Sequence, residues 1–442
     1  MSLHHRLDRH RIVTVVVGIV LVAAILVVTR FVQMQNNGDG WRVLRSAQID
    51  APNDYFAWKS FPRYFDFTPL DALTPRYLVP ASPTAAIVEA ISFSQRALGF
   101  SRFDFMAVTA LYAVLYVAGL MLLIGRVRRA FWIPAAVLLF NPYILAYFNS
   151  PYEESLFIAL SPLLAHFISN GMRPRSAASA TALVISIVKV QFAPAALLGL
   201  GRDSARRTII YLVIVLAVLV ASILKSNALR ASNDYNRFFN GLAYSASDVS
   251  TWRANEFLER RATADTLVDG SGIDLPADIG AQRQLWGSSY WPTGIEQDTA
   301  RQQFVAEHVR GWYWQTLGAN PSLMVDAVVQ PVATAIAADY RLRYIFRSEL
   351  AEGWLAVGTV TMRYFGWIVL IASIASIAVA ARRRNARAML FAVVALLYPI
   401  LAVYGDGYYE LEKHLLPVFN LAVVVSLGIA ATPRERSTSD ER

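Results

Sequence analysis

Four short stretches of this chain gather acid, base and amide side chains beside long apolar runs. In Asn36-Asn37-Gly38-Asp39-Gly40-Trp41 a carboxylate, Asp39, follows an apolar run directly, where it can serve as a general base at a membrane surface. Asn149-Ser150-Pro151-Tyr152-Glu153-Glu154-Ser155 sets two adjacent carboxylates at a helix mouth, and on a helix they point about 100° apart, so one of them faces a common site. Lys189 and Gln191, in Ser186-Ile187-Val188-Lys189-Val190-Gln191, place a cation among apolar residues, where it can bind a phosphate as a compact point charge. Gly405-Asp406-Gly407-Tyr408-Tyr409-Glu410-Leu411-Glu412-Lys413-His414 concentrates Asp406, Lys413 and His414 at the entrance to another apolar run. Arg363, in an apolar stretch, and Trp286, Tyr290 and Trp291 are weaker signals.

Each group also has an ordinary structural role. An Asp after a helix-stopping Gly is a good N-cap. Acids suit the first turn of a helix, although one Glu would be enough. A lysine near a helix end can snorkel to the interface. Glu410 lies one turn from Lys413 and His414 and can pair locally, which accounts for Glu410 and Lys413 but leaves Asp406, between two glycines, and His414, leading into an apolar run, unexplained. Aromatics near a membrane commonly form an interfacial belt. The remaining histidines, His4, His5, His10, His166 and His308, lack metal-ligand spacing. There is no Gly-rich phosphate loop and no nucleophile elbow, which disfavours a soluble nucleotide-sugar enzyme.

The elements that must position these groups are membrane helices. The chain has 442 residues, 55% hydrophobic, with positive mean hydropathy. Apolar segments centre near residues 22, 115, 139, 161, 184, 195, 216, 372, 395 and 422, which predicts an all-α polytopic protein of about ten spans. The first run, 12 to 34, exceeds a signal-peptide core and is followed by no small-x-small cleavage site, so it reads as an uncleaved helix. Two segments, 177 to 188 and 192 to 200, are short and predict either a packed pair of tilted helices or a re-entrant hairpin.

The net charge of +9 sits at the ends of apolar runs rather than in one stripe, which argues against nucleic acid. Arg6, Arg9 and Arg11, Arg126, Arg128 and Arg129, Arg173 and Arg175, Arg202, Arg206 and Arg207, Arg382 to Arg384 with Arg387, and Arg434 and Arg436 all fall on one side of an alternating ten-span arrangement. The positive-inside rule makes that side cytoplasmic, with both termini. With no cysteine, disulfides and thiolate metal sites are excluded.

The opposite side receives the loops 34 to 103 and 225 to 355 and the turns 148 to 155, 189 to 191 and 404 to 414, and with them every group named above except Arg363. Loops of such length are usually functional. The division predicted is an N-terminal transmembrane module over 1–225, with a catalytic first outer loop at 34–103, then a large extracytoplasmic loop over 226–355, then C-terminal transmembrane helices and a short tail over 356–442. Short interfacial helices are expected at 39 to 49, with Trp41, Leu44 and Ile49 on one face and Arg42 and Arg45 on another, and at 83 to 98, with Ile87, Ile91 and Leu98 apart from Glu89 and Arg96.

In this arrangement the chain resembles the GT-C superfamily of membrane glycosyltransferases. It is most similar to bacterial hexose transferases of cell-surface glycan clusters. The matching pieces are Asn37-Gly38-Asp39, Tyr147 to Glu154, Lys189-Val190-Gln191, Asn233-Asp234-Tyr235-Asn236-Arg237-Phe238-Phe239-Asn240-Gly241, and Gly405-Asp406-Gly407 with Lys413-His414-Leu415. Residues 141 to 157 are also similar to the GPI second mannosyltransferase type, whose further patterns are absent here. The resemblance implies transfer of a hexose from a polyprenyl-phosphate donor to a glycan or glycolipid acceptor, on the extracytoplasmic side of a bacterial plasma membrane. Asp39 would then be the base. Lys189, Lys413 or Arg363 would stabilise the leaving phosphate, or Glu153, Glu154 or Asp406 would hold a divalent cation, Mg or Mn, against it. Gln191 and His414 belong to the same donor side, and Tyr235, Asn236, Trp286 and Trp291 to the acceptor. A transporter or flippase of lipid-linked sugars would share the spans and basic loops, though no internal repeat is present; a glycan polymerase or ligase would share the acceptor loop.

Overall fold

In the computed structural model the first apolar run is helix α1 (Leu3–Phe31), followed by the two-residue strand β1 (Gln33–Met34). The structure describes residues 3–34, 40–50, 61–69, 82–124, 132–169, 175–199, 205–224, 234, 303, 306–307, 310–319, 321–322, 325, 345–346, 352–382, 389, 393, 398, 416–417, 419–424 and 426–427. Asp39, Tyr235, Asn236, Trp286, Trp291, Asp406, Lys413 and His414 lie outside them. The described chain is mostly helical. It divides into two units, Met1–Val215 with Asp339–Ala395 and Leu416–Arg442, and Leu216–Ala338 with Leu396–Leu415.

In the first unit, α4 (Met106–Ile124) packs antiparallel to α1, with Gly18 beside Val117, and parallel to α7 (Glu154–Ser169), with Gly119 beside Leu163 and His166 bonded to the Leu122 carbonyl. Among the described residues Ile12–Phe31 and Met106–Ile124 are long and apolar enough to cross a membrane, at about 1.5 Å per residue against a roughly 30 Å hydrocarbon layer. Ile12, Val16, Ile19, Val20 and Val27 of α1 are exposed, a face suited to lipid rather than water. Gly119 lets α4 and α7 touch, since a Cβ there would lie 2.7 Å from the Leu163 nitrogen and 3.0 Å from Pro162.

Pro162 removes the N–H that would bond the Ile158 carbonyl. That oxygen is satisfied instead by Ser161 Oγ at 2.9 Å and Asn420 Nδ2 at 3.4 Å. Asn420 also donates to Ser161 Oγ and accepts from Tyr116 Oη at 3.0 Å, and that same hydroxyl donates to the Leu139 carbonyl at 2.8 Å. One buried polar knot thus joins three helices to the C-terminal segment.

The segment predicted as one span near 139 is broken. Helix α5 (Trp132–Leu139) stops, and Asn141 caps the short α6 (Pro142–Leu145), its side chain accepting from the Tyr143 N–H at 2.9 Å. Asn-Pro is a cap followed by a residue preorganised for the first helical position, so the chain restarts instead of continuing. A 3₁₀ segment, Ala146–Asn149, carries it on to α7.

After α7 comes α8 (Arg175–Val188), whose C-terminal end passes through Lys189 into a ten-residue 3₁₀ segment, Val190–Gly199, packed back along it. Both fall short of the roughly 20 helical residues a span requires. Helix α9 (Ala205–Leu224) follows, with Tyr211 Oη donating to the Ala196 carbonyl at 2.9 Å.

Between α1 and α4 lie α2 (Trp41–Ser46), β2 (Tyr64–Phe65), α3 (Pro83–Ala97) and β3 (Phe103–Asp104). β2 pairs antiparallel with β3, and Ile49 bridges Phe67. Phe65, Phe67, Phe103 and Phe105 pack edge-on or tilted around this ribbon. The expected helix at 39 to 49 is shorter than predicted, because the chain turns at Gln48, whose φ of 59° is left-handed. The N–H of Gln48 bonds the Arg45 carbonyl and that of Ile49 bonds Leu44, the pattern of a Schellman stop with Gln at the position glycine usually takes. Helix α3 ends the same way at Gly99, φ 81°.

The C-terminal end of the large loop returns to the first unit as β4 (Ile345–Phe346), antiparallel to β1 with Met34 opposite Ile345. Beyond the short β4, α11 (Glu352–Arg363) rests Gly358 against Pro142 and Tyr143, and Tyr143 Oη meets Thr359 Oγ1 at 2.7 Å. Helix α12 (Phe365–Arg382) continues from it. The second unit holds α10 (Arg310–Ala319), where Arg310 donates to the buried Asp234 through Nε at 2.8 Å and Nη2 at 2.6 Å.

Candidate functional site

The segment from Asn141 to Tyr152 is buried throughout, so its polar atoms must be satisfied by the protein. Ser150 Oγ and Ser155 Oγ each donate to the Tyr147 carbonyl at 2.7 Å. Asn149 donates to the Thr29 carbonyl near the end of α1 at 3.2 Å and accepts from Thr109 in the first turn of α4 at 3.5 Å. Tyr152 packs edge-on to Phe61 with centroids 5.3 Å apart. The end of α1, the start of α4 and the start of α7 are thereby fastened together.

At this end Glu154 opens α7 and Lys189 closes α8. Lys189 Nζ lies 3.1 Å from Glu154 Oε1, with the carboxylate side chain 2% exposed and the lysine 14%. Phe157 stacks on Phe192 at 4.1 Å, one helical turn from each partner of the pair. Two sequence candidates from distant segments therefore meet in one buried ion pair. Glu153, half-buried, offers its backbone carbonyl to Thr84 Oγ1 of α3 at 3.5 Å.

Asp39 is flanked on both sides by buried residues of this unit, Met34 and Gly40. The N-cap of α2 is Gly40, so the cap considered for Asp39 falls one residue later. Gln191 lies on the 3₁₀ segment and Arg363 is the last residue of α11. Among the described residues no three His, Asp or Glu side chains gather to hold a metal ion.

Three charged groups were not singled out as site residues. Asp104, just before α4, pairs with Arg63 at 2.7 Å. Burial pushes its carboxyl up, but the hydrogen bonds from Arg63 and the Met106 N–H, with the charges of Arg63 and Arg30, hold it below its ordinary value. Glu89 is buried in α3, and burial raises its carboxyl. Arg96 donates through Nη2 to the carbonyls of Gln48 at 2.9 Å and Thr68 at 2.8 Å and lies 4.4 Å over the Phe67 ring; burial lowers its pKa. The signal in sequence was the polar set Glu89, Ser92 and Gln95 at helical spacing, which reads as a solvent face and is an inner one.

No curated protein matches the chain, and no solved structure does. A family description does: the YfdI N-terminal transmembrane domain matches residues 3–243, more than half of the chain and all of the helices that meet at the Glu154–Lys189 pair. The chain therefore belongs to the YfdI N-terminal transmembrane domain family and is a membrane protein.

Proposed function

We propose that the protein is an integral-membrane glycosyltransferase of GT-C type, with about ten spans. It moves a hexose from a polyprenyl-phosphate donor to a cell-surface glycan or glycolipid acceptor on the extracytoplasmic side of a bacterial plasma membrane. The observation that carries this reading is the buried Glu154–Lys189 pair, where the start of α7 meets the end of α8. A cation kept among apolar residues is costly and defaults to a functional role. Its carboxylate partner fixes the direction of the ammonium.

In the reaction, Asp39 takes the proton of an acceptor hydroxyl as that oxygen attacks the anomeric carbon. The bond from that carbon to the phosphate oxygen breaks on the opposite face, with inversion. Lys189 offsets the charge that develops on the departing phosphate. A divalent cation, Mg or Mn, would serve the same end. Because Glu154 is already engaged by Lys189, Glu153 or Asp406 would have to hold it, and no step is assigned to it. Residues Tyr235, Asn236, Trp286 and Trp291 remain acceptor candidates, and Lys413, His414, Gln191 and Arg363 donor-side ones.

The test gives purified wild type and Asp39→Asn a polyprenyl-phosphate hexose and extracted acceptor and measures glycosidic product. Loss of a general base lowers turnover by about 10²- to 10⁴-fold. Equal product from both proteins removes Asp39 from the mechanism, and donor flipping without transfer makes the protein a transporter.

A further inference from the structure

Helix α3 is inside out. Its exposed residues include Phe93 and, just past its end, Leu98 at 76% exposure, whereas its buried ones include Thr84, Glu89, Ser92 and Gln95. Two of these are accounted for: Thr84 reaches the Glu153 carbonyl, and Gln95 brackets Asp104, donating to its carbonyl at 2.9 Å and accepting from its N–H at 2.7 Å. The others are not. Glu89, 9% exposed, makes no hydrogen bond or ion pair to a described residue; Ser92, 1% exposed, has an unsatisfied hydroxyl; and Arg96 Nε is buried without an acceptor among the described residues.

Residues 89, 92 and 96 follow one another at i, i+3 and i+7, a single row on one face spanning about 10 Å along the axis. That face looks toward α2 and its left-handed stop, since α3 packs on α2 and Arg96 Nη2 bonds the Gln48 carbonyl. Unsatisfied buried polar groups are uncommon, and each costs about 1–3 kcal/mol. Three in one row, none relieved by a described residue, are what a site built for a polar ligand leaves behind.

We propose that the α2–α3 seam is a carbohydrate subsite in which Glu89, Ser92 and Arg96 bind adjacent hydroxyl groups of the acceptor. The chemistry selects that class. A carboxylate only accepts, a guanidinium N–H only donates, and a serine does both, so the row suits groups that give and take protons. An anion would be repelled by Glu89 and a simple cation by Arg96. The seam lies beside α2, which begins two residues after Asp39 in the sequence. The assignment of the ligand as acceptor rests on the transfer reaction proposed above; that the seam binds sugar hydroxyls does not.

Two readouts on the full-length protein in detergent keep these apart. In the first, thermal shift by a panel of methyl hexosides and hexose disaccharides is compared for wild type, Glu89→Gln and Ser92→Ala. At least one sugar is expected to stabilise wild type and to lose at least fivefold in affinity in each variant, while Ser92→Ala without sugar melts at or above the wild-type temperature, because an unsatisfied hydroxyl has gone, and Glu89→Gln keeps a cooperative melt. A merely structural role would not move sugar affinity. In the second, transfer kinetics should show a rise of roughly tenfold in acceptor KM with kcat and donor KM within about twofold. Stabilisation by no sugar, or equally of all three proteins, overturns the subsite. Sugar stabilisation lost in the variants without any transfer by wild type upholds the subsite and overturns the reaction.

Discussion

Glu154 and Lys189 are 35 positions apart, on separate helices, and each is tolerable in its apolar surroundings because of the other. Removing one partner of a buried pair leaves an uncompensated charge, at a cost of about 3–5 kcal/mol. Lys189→Met should therefore lower the unfolding free energy by about that amount, and adding Glu154→Gln should recover part of it, read as a double-mutant cycle in denaturant. A second expectation concerns pH. Asp104 is held below its ordinary value of 3.8, so its contribution is present above that value and disappears as the pH falls through the lower folded one. Glu89 is held above its ordinary value of 4.5, so the opposite applies: stability is complete below 4.5 and declines as the pH rises through the folded value. A pH series of thermal melts should lose its acid limb in Arg63→Gln and its upper limb in Glu89→Gln. At this scale the sequence disclosed Glu154 and Lys189 as charges in apolar context. It could not disclose that they were partners, because pairing depends on which helices pack. Glu89 was visible too, as a residue apart from Ile87, Ile91 and Leu98, but that its side is the inner one depends on the packing of α3 on α2, which spacing does not carry.

The helices themselves were legible where apolar length alone decides, as for α1 and α4, and at 83 to 98, where the observed α3 ends one residue early at Ala97. They were misread where a single residue interrupts an apolar run. Asn141-Pro142 splits a predicted span, and a hydropathy average passes over that dipeptide although its capping chemistry is plain in the letters. The second unforeseen device is the Pro162 break in α7, whose stranded carbonyl is taken up by Asn420 from 262 positions away. Asn420→Leu takes one bond from each of Tyr116, Ser161 and Ile158, which keep Leu139 and each other as partners, and should cost about 0.5–1.5 kcal/mol per bond lost, measured as a drop in the melting temperature of the detergent-solubilised protein. Gly119→Val forces side-chain atoms into the α7 backbone and should cost about 1–3 kcal/mol or more, whereas Gly311→Val, where nothing lies within 4 Å, should have a much smaller effect.

Across the whole molecule the basic loops predict which side each segment faces, and the natural lack of cysteine makes that easy to check. Single cysteines placed at Leu98 or Tyr64, both exposed, should react with a membrane-impermeant maleimide in intact cells, whereas cysteines at Arg128 and Arg202 should react only after the membrane is opened; the reverse pattern would invert the orientation. Hydropathy and charge reveal spans and sides because both are local properties of the letters. The return of the large loop to the first helix is not local and was invisible. β4 pairs with β1, so Ile345 meets Met34 across 311 positions of sequence. At roughly 5–20 residues per second of synthesis, the ribosome needs about 15–60 s to deliver the second strand after the first. Until then β1, which follows directly on α1, is a strand without its partner. Closure of this ribbon is therefore timed by translation, and the outer end of α1 gains its partner strand only when most of the chain has been made.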